Sequence, residues 1–285
     1  MFKYTDENLV VVSLDLIENM SGGLITVPAF AGTRKTVEHF FGTRLQPPIF
    51  DGKHVVSLSD DSRWPPGVEA IVSVKQVHGT DALVVDQPPQ DGMTFPGGRD
   101  ALLTNQPGVL LTIRTADCVP VLFHDPRRQV VSAVHAGWRG AVAGIIPKTL
   151  ALMHKRFQSD ISAIRMVIGP SAGPCCYEID GPVLKPLQNG YPYWRRVVRR
   201  TQQDKALLDL KELVRRQARS AGVNSASIWM VGLCTICHPK VFYSYRRDGI
   251  VKETMVSGIM LAPAADRPIH HSLPHHKSPD LLHNT

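Results

Sequence analysis

An α+β fold is predicted for this chain of 285 residues. Strand-like and helix-like segments follow one another without a regular strand–helix–strand alternation, and turn signals break every apolar run before it grows long. Hydrophobic residues make up 43% and charged residues 20% of the sequence, enough to bury a substantial core and against global disorder. The first 68 or so residues read as irregular, with turn signals at Gly22-Gly23, Pro47-Pro48, Asp60-Asp61 and Pro65-Pro66-Gly67. A strand is expected from Ala70 to Val77, rich in β-branched residues and ending at His78-Gly79. Residues 86–99, rich in proline and glycine, read as a loop.

Three apolar runs come next: Val109–Ile113, Val119–Phe123 and Val130–Val134. Asp125-Pro126-Arg127-Arg128 between the last two predicts a hairpin or tight meander. A helix follows the Gly137-Trp138-Arg139-Gly140 turn and runs to about Phe157, with Pro147 implying a kink or a late start. Ile164–Ile168 reads as a strand closing on Gly169-Pro170. The strongest helical periodicity covers Asp204–Ala221, where Leu207, Leu210, Val214 and Ala221 share a face, Asp204 could cap the start and Gly222 the end. Ser227–Leu233 reads as a strand entering Cys234-Thr235. After Pro263 the chain carries His270, His271, His275 and His276 among prolines with little apolar content, so residues 264–285 are expected to be a disordered tail able to bind metal adventitiously.

The net charge is +7, and part of it gathers in Arg195-Arg196-Val197-Val198-Arg199-Arg200. A solvated helix face explains that run. No RNA-binding or DNA-reading signature accompanies it, so no nucleic-acid partner is expected and the charge favours small anionic substrates. No apolar run reaches the roughly 18 residues of a spanning helix, and the first residues lack the basic-then-apolar order of a signal peptide. The sequence therefore reads as cytoplasmic, without a membrane partner, and a monomer is the expectation. Five cysteines in a reducing compartment point to free thiols or metal ligands rather than disulfides.

Two segments carry the chemistry. Thr115-Ala116-Asp117-Cys118-Val119-Pro120 and Val134-His135-Ala136-Gly137-Trp138-Arg139-Gly140 each put a reactive side chain where an apolar run meets small or turn-forming residues. His78, in Lys75-Gln76-Val77-His78-Gly79, is a third. One thiolate and two imidazoles are a catalytic-type zinc set, three protein ligands with a fourth position open, and they would also accept copper. The intervals 78 to 118 and 118 to 135 are not zinc-finger spacings, so tertiary structure would have to assemble the site. Asp117 and Asp81 could accept hydrogen bonds from the ligating imidazoles. The same atoms also suit a thiolate–imidazole nucleophile, and each residue alone suits ordinary packing. Spacing does not choose among the three.

With Asp100-Ala101-Leu102-Leu103-Thr104, Ile168-Gly169-Pro170, Cys175-Cys176-Tyr177-Glu178, Cys234-Thr235 and Phe242-Tyr243-Ser244-Tyr245-Arg246-Arg247-Asp248-Gly249, these segments resemble the laccase-domain family of multicopper polyphenol oxidoreductases. Its members are also called purine nucleoside phosphorylases and, in bacteria, peptidoglycan editing factors. The resemblance implies a single domain over residues 1–263, a four-layer α/β/β/α sandwich of two mixed sheets. It implies that His78, Cys118 and His135 bind zinc, or copper in some members, and are the catalytic residues, with Asp117 assisting. The implied activities are phosphorolysis of adenosine, inosine and methylthioadenosine and hydrolytic deamination of adenosine, with a purine nucleoside and phosphate as partners. For the phosphate, Arg246, Arg44 and Arg139 are the candidate guanidinium contacts. The first 68 residues follow the family's pattern least: Phe41-Gly42-Thr43-Arg44-Leu45 stands where Ser-Thr-Arg and then Gly-Gly are usual. Cys234-Thr235-Ile236-Cys237 could be a redox pair or half a zinc site with Cys175-Cys176; the family implies no metal role for these cysteines, and they are read as structural. Three other readings stay in view: a cysteine hydrolase or amidase editing cell-wall precursors, a copper-dependent phenol oxidase, and a metal- or precursor-binding module without turnover.

Overall fold

The structure, a computed structural model, describes residues 9–10, 23–30, 37–45, 55–57, 64–201, 204–250 and 253–263. Two mixed sheets dominate it. The seven-stranded sheet runs in the order β1 (Leu9–Val10), β15 (Ile228–Val231), β11 (Arg165–Ile168), β9 (Val119–Asp125), β10 (Val130–Ala136), β7 (Ala101–Thr104) and β6 (Ala82–Val85). The six-stranded sheet runs β2 (Leu24–Ile25), β3 (Val37–Gly42), β16 (Met255–Leu261), β8 (Val109–Thr115), β5 (Ala70–Val72) and β4 (Val55–Ser57). A small antiparallel sheet joins β12 (Glu178–Ile179), β14 (Ala206–Leu208) and β13 (Val198–Arg200).

Side-chain alternation explains why the central strands read as unbroken apolar runs. On β9, Val119, Val121 and Phe123 join one core and Leu122 another. On β10, Val130 and Val134 divide from Val131 and Ala133 in the same way. A strand buried on both faces has no polar side to show. One face of the seven-stranded sheet meets the six-stranded sheet through Leu102, Leu122 and Val167 against Phe41, Leu111 and Ile259. The other is covered by α1 (Trp138–Val142), α2 (Ile145–Phe157), α3 (Gly181–Gly190), α4 (Trp194–Val197) and α5 (Leu210–Ser220). The far face of the six-stranded sheet carries a smaller cluster of Phe40, Trp64, Ile71, Leu110, Val256 and Met260. The fold is thus the expected α+β sandwich of two mixed sheets; of the four layers the resemblance implies, the described residues supply both sheets and the helical layer over the seven-stranded one.

Several boundaries move. The β9–β10 hairpin forms as expected, its turn closed by the Asp125 carboxylate, which accepts from the Arg127 and Arg128 amides at 2.9 and 3.1 Å. The helix after Gly137 is two helices, broken at Gly144 (φ +83°), with Pro147 in the first turn of α2 where its missing N–H costs nothing. The expected strand from Ala70 leaves the sheet at Val72, and residues to His78 continue as an extended loop. The helix expected over Asp204–Ala221 starts at Leu210. Its cap is Asp209, which accepts from the Glu212 amide at 3.0 Å, because residues 206–208 pair with β12 and β13 instead. The arginine run is likewise not one helix face: it spans α4 and β13, with Val197 and Val198 buried and the four arginines exposed. The first 68 residues, expected to be irregular, contribute the strands β1, β2, β3 and β4, and β3 pairs with β16, a strand the sequence did not announce. The histidine-rich tail, from His270 on, lies outside the described residues. No described helix is long and apolar enough to cross a membrane.

Candidate metal centre

Three chain segments, two of them the strands of one hairpin, meet at one end of the seven-stranded sheet. His135 is the penultimate residue of β10, Cys118 immediately precedes β9, and His78 lies in the loop before β6. Pairing of β9 with β10 sets the first two in register: His135 sits opposite Pro120 and Ala136 opposite Val119. His78 is carried in by Asp100, the residue before β7. That wholly buried carboxylate accepts from the amides of Val77 (3.2 Å), His78 (2.9 Å) and Gly79 (2.7 Å), and from His135 Nδ1 at 2.7 Å. Burial raises the Asp100 pKa, but the His135 bond and the amides outweigh it and hold the group below its ordinary value.

Cys118 Sγ lies 3.7 Å from His78 Nε2, and the two imidazole rings meet edge to face with centroids 4.7 Å apart. All three ligand atoms lie within 4.8 Å of one another. Bonds of about 2.0–2.3 Å to zinc put ligands on a tetrahedron roughly 3.5 Å on edge, so the donor set and its spacing fit one metal ion. The site is graded in depth: His78 exposed, Cys118 half-buried, His135 buried. Because Nδ1 of His135 is engaged by Asp100, Nε2 is the nitrogen left for Cys118 or an ion. Considered without a cation, burial raises the Cys118 thiol, yet hydrogen bonds from His135 and His78 bring it down to about 7. Burial lowers His135, yet Asp100 and Cys118 raise it to about 9. Each of the two thus favours the charged form of the other, and a divalent cation would favour the thiolate in the same way.

The backbone is bent to make this possible. His78 (φ +60°) and Asp117 (φ +96°) both occupy the left-handed region that non-glycine residues rarely enter. A Cβ on Gly137 would lie 2.5 Å from His78 Cδ2 and 3.2 Å from Cys118 Sγ, so only glycine leaves room there. Gly140 likewise allows α1 to approach the Gly79 carbonyl.

The carboxylate expected on an imidazole is neither Asp117 nor Asp81. Asp117 accepts from Thr235 Oγ1 (2.6 Å), Ser244 Oγ (2.9 Å) and the Arg246 amide (2.7 Å), which stabilises its own strained turn and docks α6 (Tyr245–Asp248) beside Cys118. Asp81 contributes its carbonyl, which accepts from the Asp100 amide at 2.9 Å. Asp100 takes the role expected of them. Its identifying signal was present, a carboxylate directly before a strand in the Asp100–Thr104 segment, but nothing local shows that the strand ends beside His135.

Tyr177 is a second residue that the sequence reading did not single out. Burial and the neighbouring Cys118 push its hydroxyl up to about 12, against the pull of Arg246 and Arg139. Arg246 lies 5.3 Å over the Tyr177 ring and donates to the Glu178 carbonyl at 2.7 Å. Arg139, exposed, lies over the Trp138 ring at 4.4 Å. These two guanidiniums therefore flank the aromatic wall of the centre. Arg44 is engaged elsewhere, donating to the Pro239 carbonyl at 2.5 Å and lying 5.0 Å over the Tyr243 ring.

Residues 61–262 match the family model described as multi-copper polyphenol oxidoreductase laccase. A purine nucleoside phosphorylase of Bacteroides thetaiotaomicron is 37% identical over 199 residues, covering 68% of this chain and 74% of that protein. Purine nucleoside phosphorylase YlmD of Geobacillus stearothermophilus is 38% identical over 191 residues, 64% of this chain and 68% of that protein. The crystal structure of YlmD from that organism superposes with a TM-score of 0.68 at 29% identity, covering 83% of this chain and 94% of that one. Protein NMB0706 of Neisseria meningitidis superposes with a TM-score of 0.66 at 25% identity, covering 84% and 98%.

Proposed function

This chain belongs to the multi-copper polyphenol oxidoreductase laccase family, and from that premise we propose that it is a metal-dependent purine nucleoside phosphorylase, acting on adenosine, inosine and methylthioadenosine, with adenosine deaminase activity. The relatives' names support the general kind of enzyme. The observation that carries the reading is the convergence of His78, Cys118 and His135 on one point, with Asp100 gripping both histidine-bearing segments.

His78 Nε2, Cys118 Sγ and His135 Nε2 would hold the ion. Zinc held by such a set supplies Lewis acidity at neutral pH, and copper is the alternative. The remaining roles fall to the chain's own side chains. Asp100 keeps His135 in the tautomer whose Nε2 faces inward and prevents the ring from turning away. Tyr177 forms an apolar wall on which a purine ring could lie. Arg246 and Arg139 bring cationic donors to the same wall, and a guanidinium has five N–H groups with which to grip phosphate. Arg44 is a weaker candidate for that role because it faces Tyr243 and Pro239.

Incubating the metal-loaded protein with adenosine and phosphate should yield adenine and ribose 1-phosphate, and without phosphate inosine. Cys118→Ala should lose both product streams. The reading fails if the metal-loaded wild type makes neither adenine nor inosine. A second reading, a cysteine hydrolase or amidase, draws support from the 3.7 Å approach of Cys118 to His78. It predicts rapid alkylation of Cys118 and a covalent intermediate in protein without metal, and stoichiometric metal with activity lost on chelation would count against it.

A further inference from the structure

Apart from the triad, one other group of side chains among the described residues has the composition of a metal site. Cys175 and Cys176, in the turn before β12, face Cys234 and Cys237, in the turn after β15, and all four sulfurs lie within 4.8 Å of one another. Cys237 Sγ is 3.3 Å from Cys176 Sγ and 3.4 Å from Cys175 Sγ. A disulfide needs about 2.05 Å. Four thiolates about 2.3 Å from zinc lie on a tetrahedron roughly 3.8 Å on edge, much nearer the observed spacing.

Three features around the sulfurs are those a thiolate centre requires. The amides of Gly173, Ile236 and Cys237 are directed at Cys234 Sγ, the first at 3.2 Å, so the buried sulfur is met by N–H dipoles that stabilise its anionic form. Gly173 is a close fit: a Cβ there would stand 3.0 Å from Cys234 Cβ and 3.3 Å from the sulfurs of Cys175 and Cys234. Lys211, on α5 and 2% exposed, donates to the carbonyls of Leu233 (2.9 Å) and Val231 (3.4 Å), and its charge faces Asp209 together with Cys234, Cys175 and Cys237. A buried ammonium is costly without nearby negative charge, and four thiolates around a divalent ion carry a net −2. Cys175 and Cys237 are exposed, which gives the ion a way in.

We propose that Cys175, Cys176, Cys234 and Cys237 form a second metal site, a closed tetrathiolate centre for a tetrahedral divalent ion of the zinc class. Each thiol gives its proton to solvent as its sulfur–metal bond forms, and no oxidant is needed. With all four positions taken by protein the ion cannot bind water, so its role is structural. It ties the 173–177 turn to the 234–237 turn, already joined by the Ser171–Cys234 bridge. Those turns carry Tyr177 and Thr235, and Thr235 holds Asp117 beside Cys118. The second site thereby braces one wall of the first.

Native mass spectrometry and elemental analysis on the full chain made without a histidine tag test this. Zinc-loaded wild type should hold about two ions, and Cys118→Ala and Cys237→Ser about one each. Cobalt loaded into Cys118→Ala should show the charge-transfer and visible bands of a tetrahedral tetrathiolate, and Cys237→Ser should lack them. Should Cys237→Ser fail to fold, the cobalt spectrum of Cys118→Ala decides alone. The proposal is overturned if zinc-loaded Cys118→Ala retains no ion, if its cobalt spectrum lacks thiolate bands, or if its intact mass shows these cysteines oxidised to a disulfide. Because the triad is disabled in that variant, the outcome is independent of the nucleoside reading.

Discussion

Asp100 carries more of the candidate centre than any ligand does. Its two oxygens accept four hydrogen bonds, one from His135 and three from the Val77–Gly79 amides that set the position of His78. Asparagine in its place keeps the shape but replaces one acceptor oxygen with a donor, which must face an N–H group. Carboxylates that orient metal-bound histidines are typically worth about 10–100-fold in metal affinity. Asp100→Asn should weaken zinc binding by about that factor, measured by competition with a chromophoric chelator. Unchanged affinity would mean that backbone pairing alone orients His78 and His135. Asp117, two residues from β9, acts differently: its carboxylate stabilises a left-handed turn and the start of α6.

At the scale of elements, β9, β10 and β7 position the centre, and α5 anchors the far side. Helix α5 begins where Asp209 turns its carboxylate onto the Glu212 amide, and Glu212 in turn meets Arg215 and Arg216 at 2.6 Å. Losing a helix cap costs about 1 kcal/mol. Asp209→Ala should lower the unfolding free energy by about that amount in urea titration without altering the metal content of the triad. A loss of several kcal/mol would show that Asp209 serves mainly as the countercharge of buried Lys211. The periodicity of this region was legible, and its start was not. Ala206–Leu208 has the apolar spacing of a helix, and only pairing with Glu178–Ile179 and Val198–Arg200 makes it a strand.

For the whole molecule, two histidines stand at the apolar interface that holds the two sheets. His39 of β3 and His124 of β9 lie against the Phe30 ring, with centroids 4.9 and 5.9 Å from it. Burial is the main cause that lowers both imidazoles to about 4, so both are neutral in the fold. An unfolded chain protonates them near 6.5. The unfolded state therefore binds more protons between these values, and stability falls as the pH drops from about 6.5 towards 4. The loss is on the order of 3 kcal/mol per ring at most. Denaturant unfolding across that range should show it, and His124→Phe should flatten the slope. An equal slope in the variant would exclude His124 as a source.

The order of apolar runs, the β9–β10 hairpin, the glycine turns and the placement of Cys118 and His135 at strand ends were determined by the sequence itself. Each depends on neighbours a few residues away. His78, Cys118 and His135 could be singled out for the same reason. Tertiary structure alone decided which carboxylate serves His135, since Asp81 and Asp117 stand near ligands along the chain and Asp100 does not, and only the register of β7 against β10 brings Asp100 to the ring. It likewise decided that β3 and β16 share a sheet, and that two cysteine pairs some sixty residues apart meet in one cluster. Such contacts cost chain entropy that no local pattern records, and they form because burial of both faces of two sheets outweighs it.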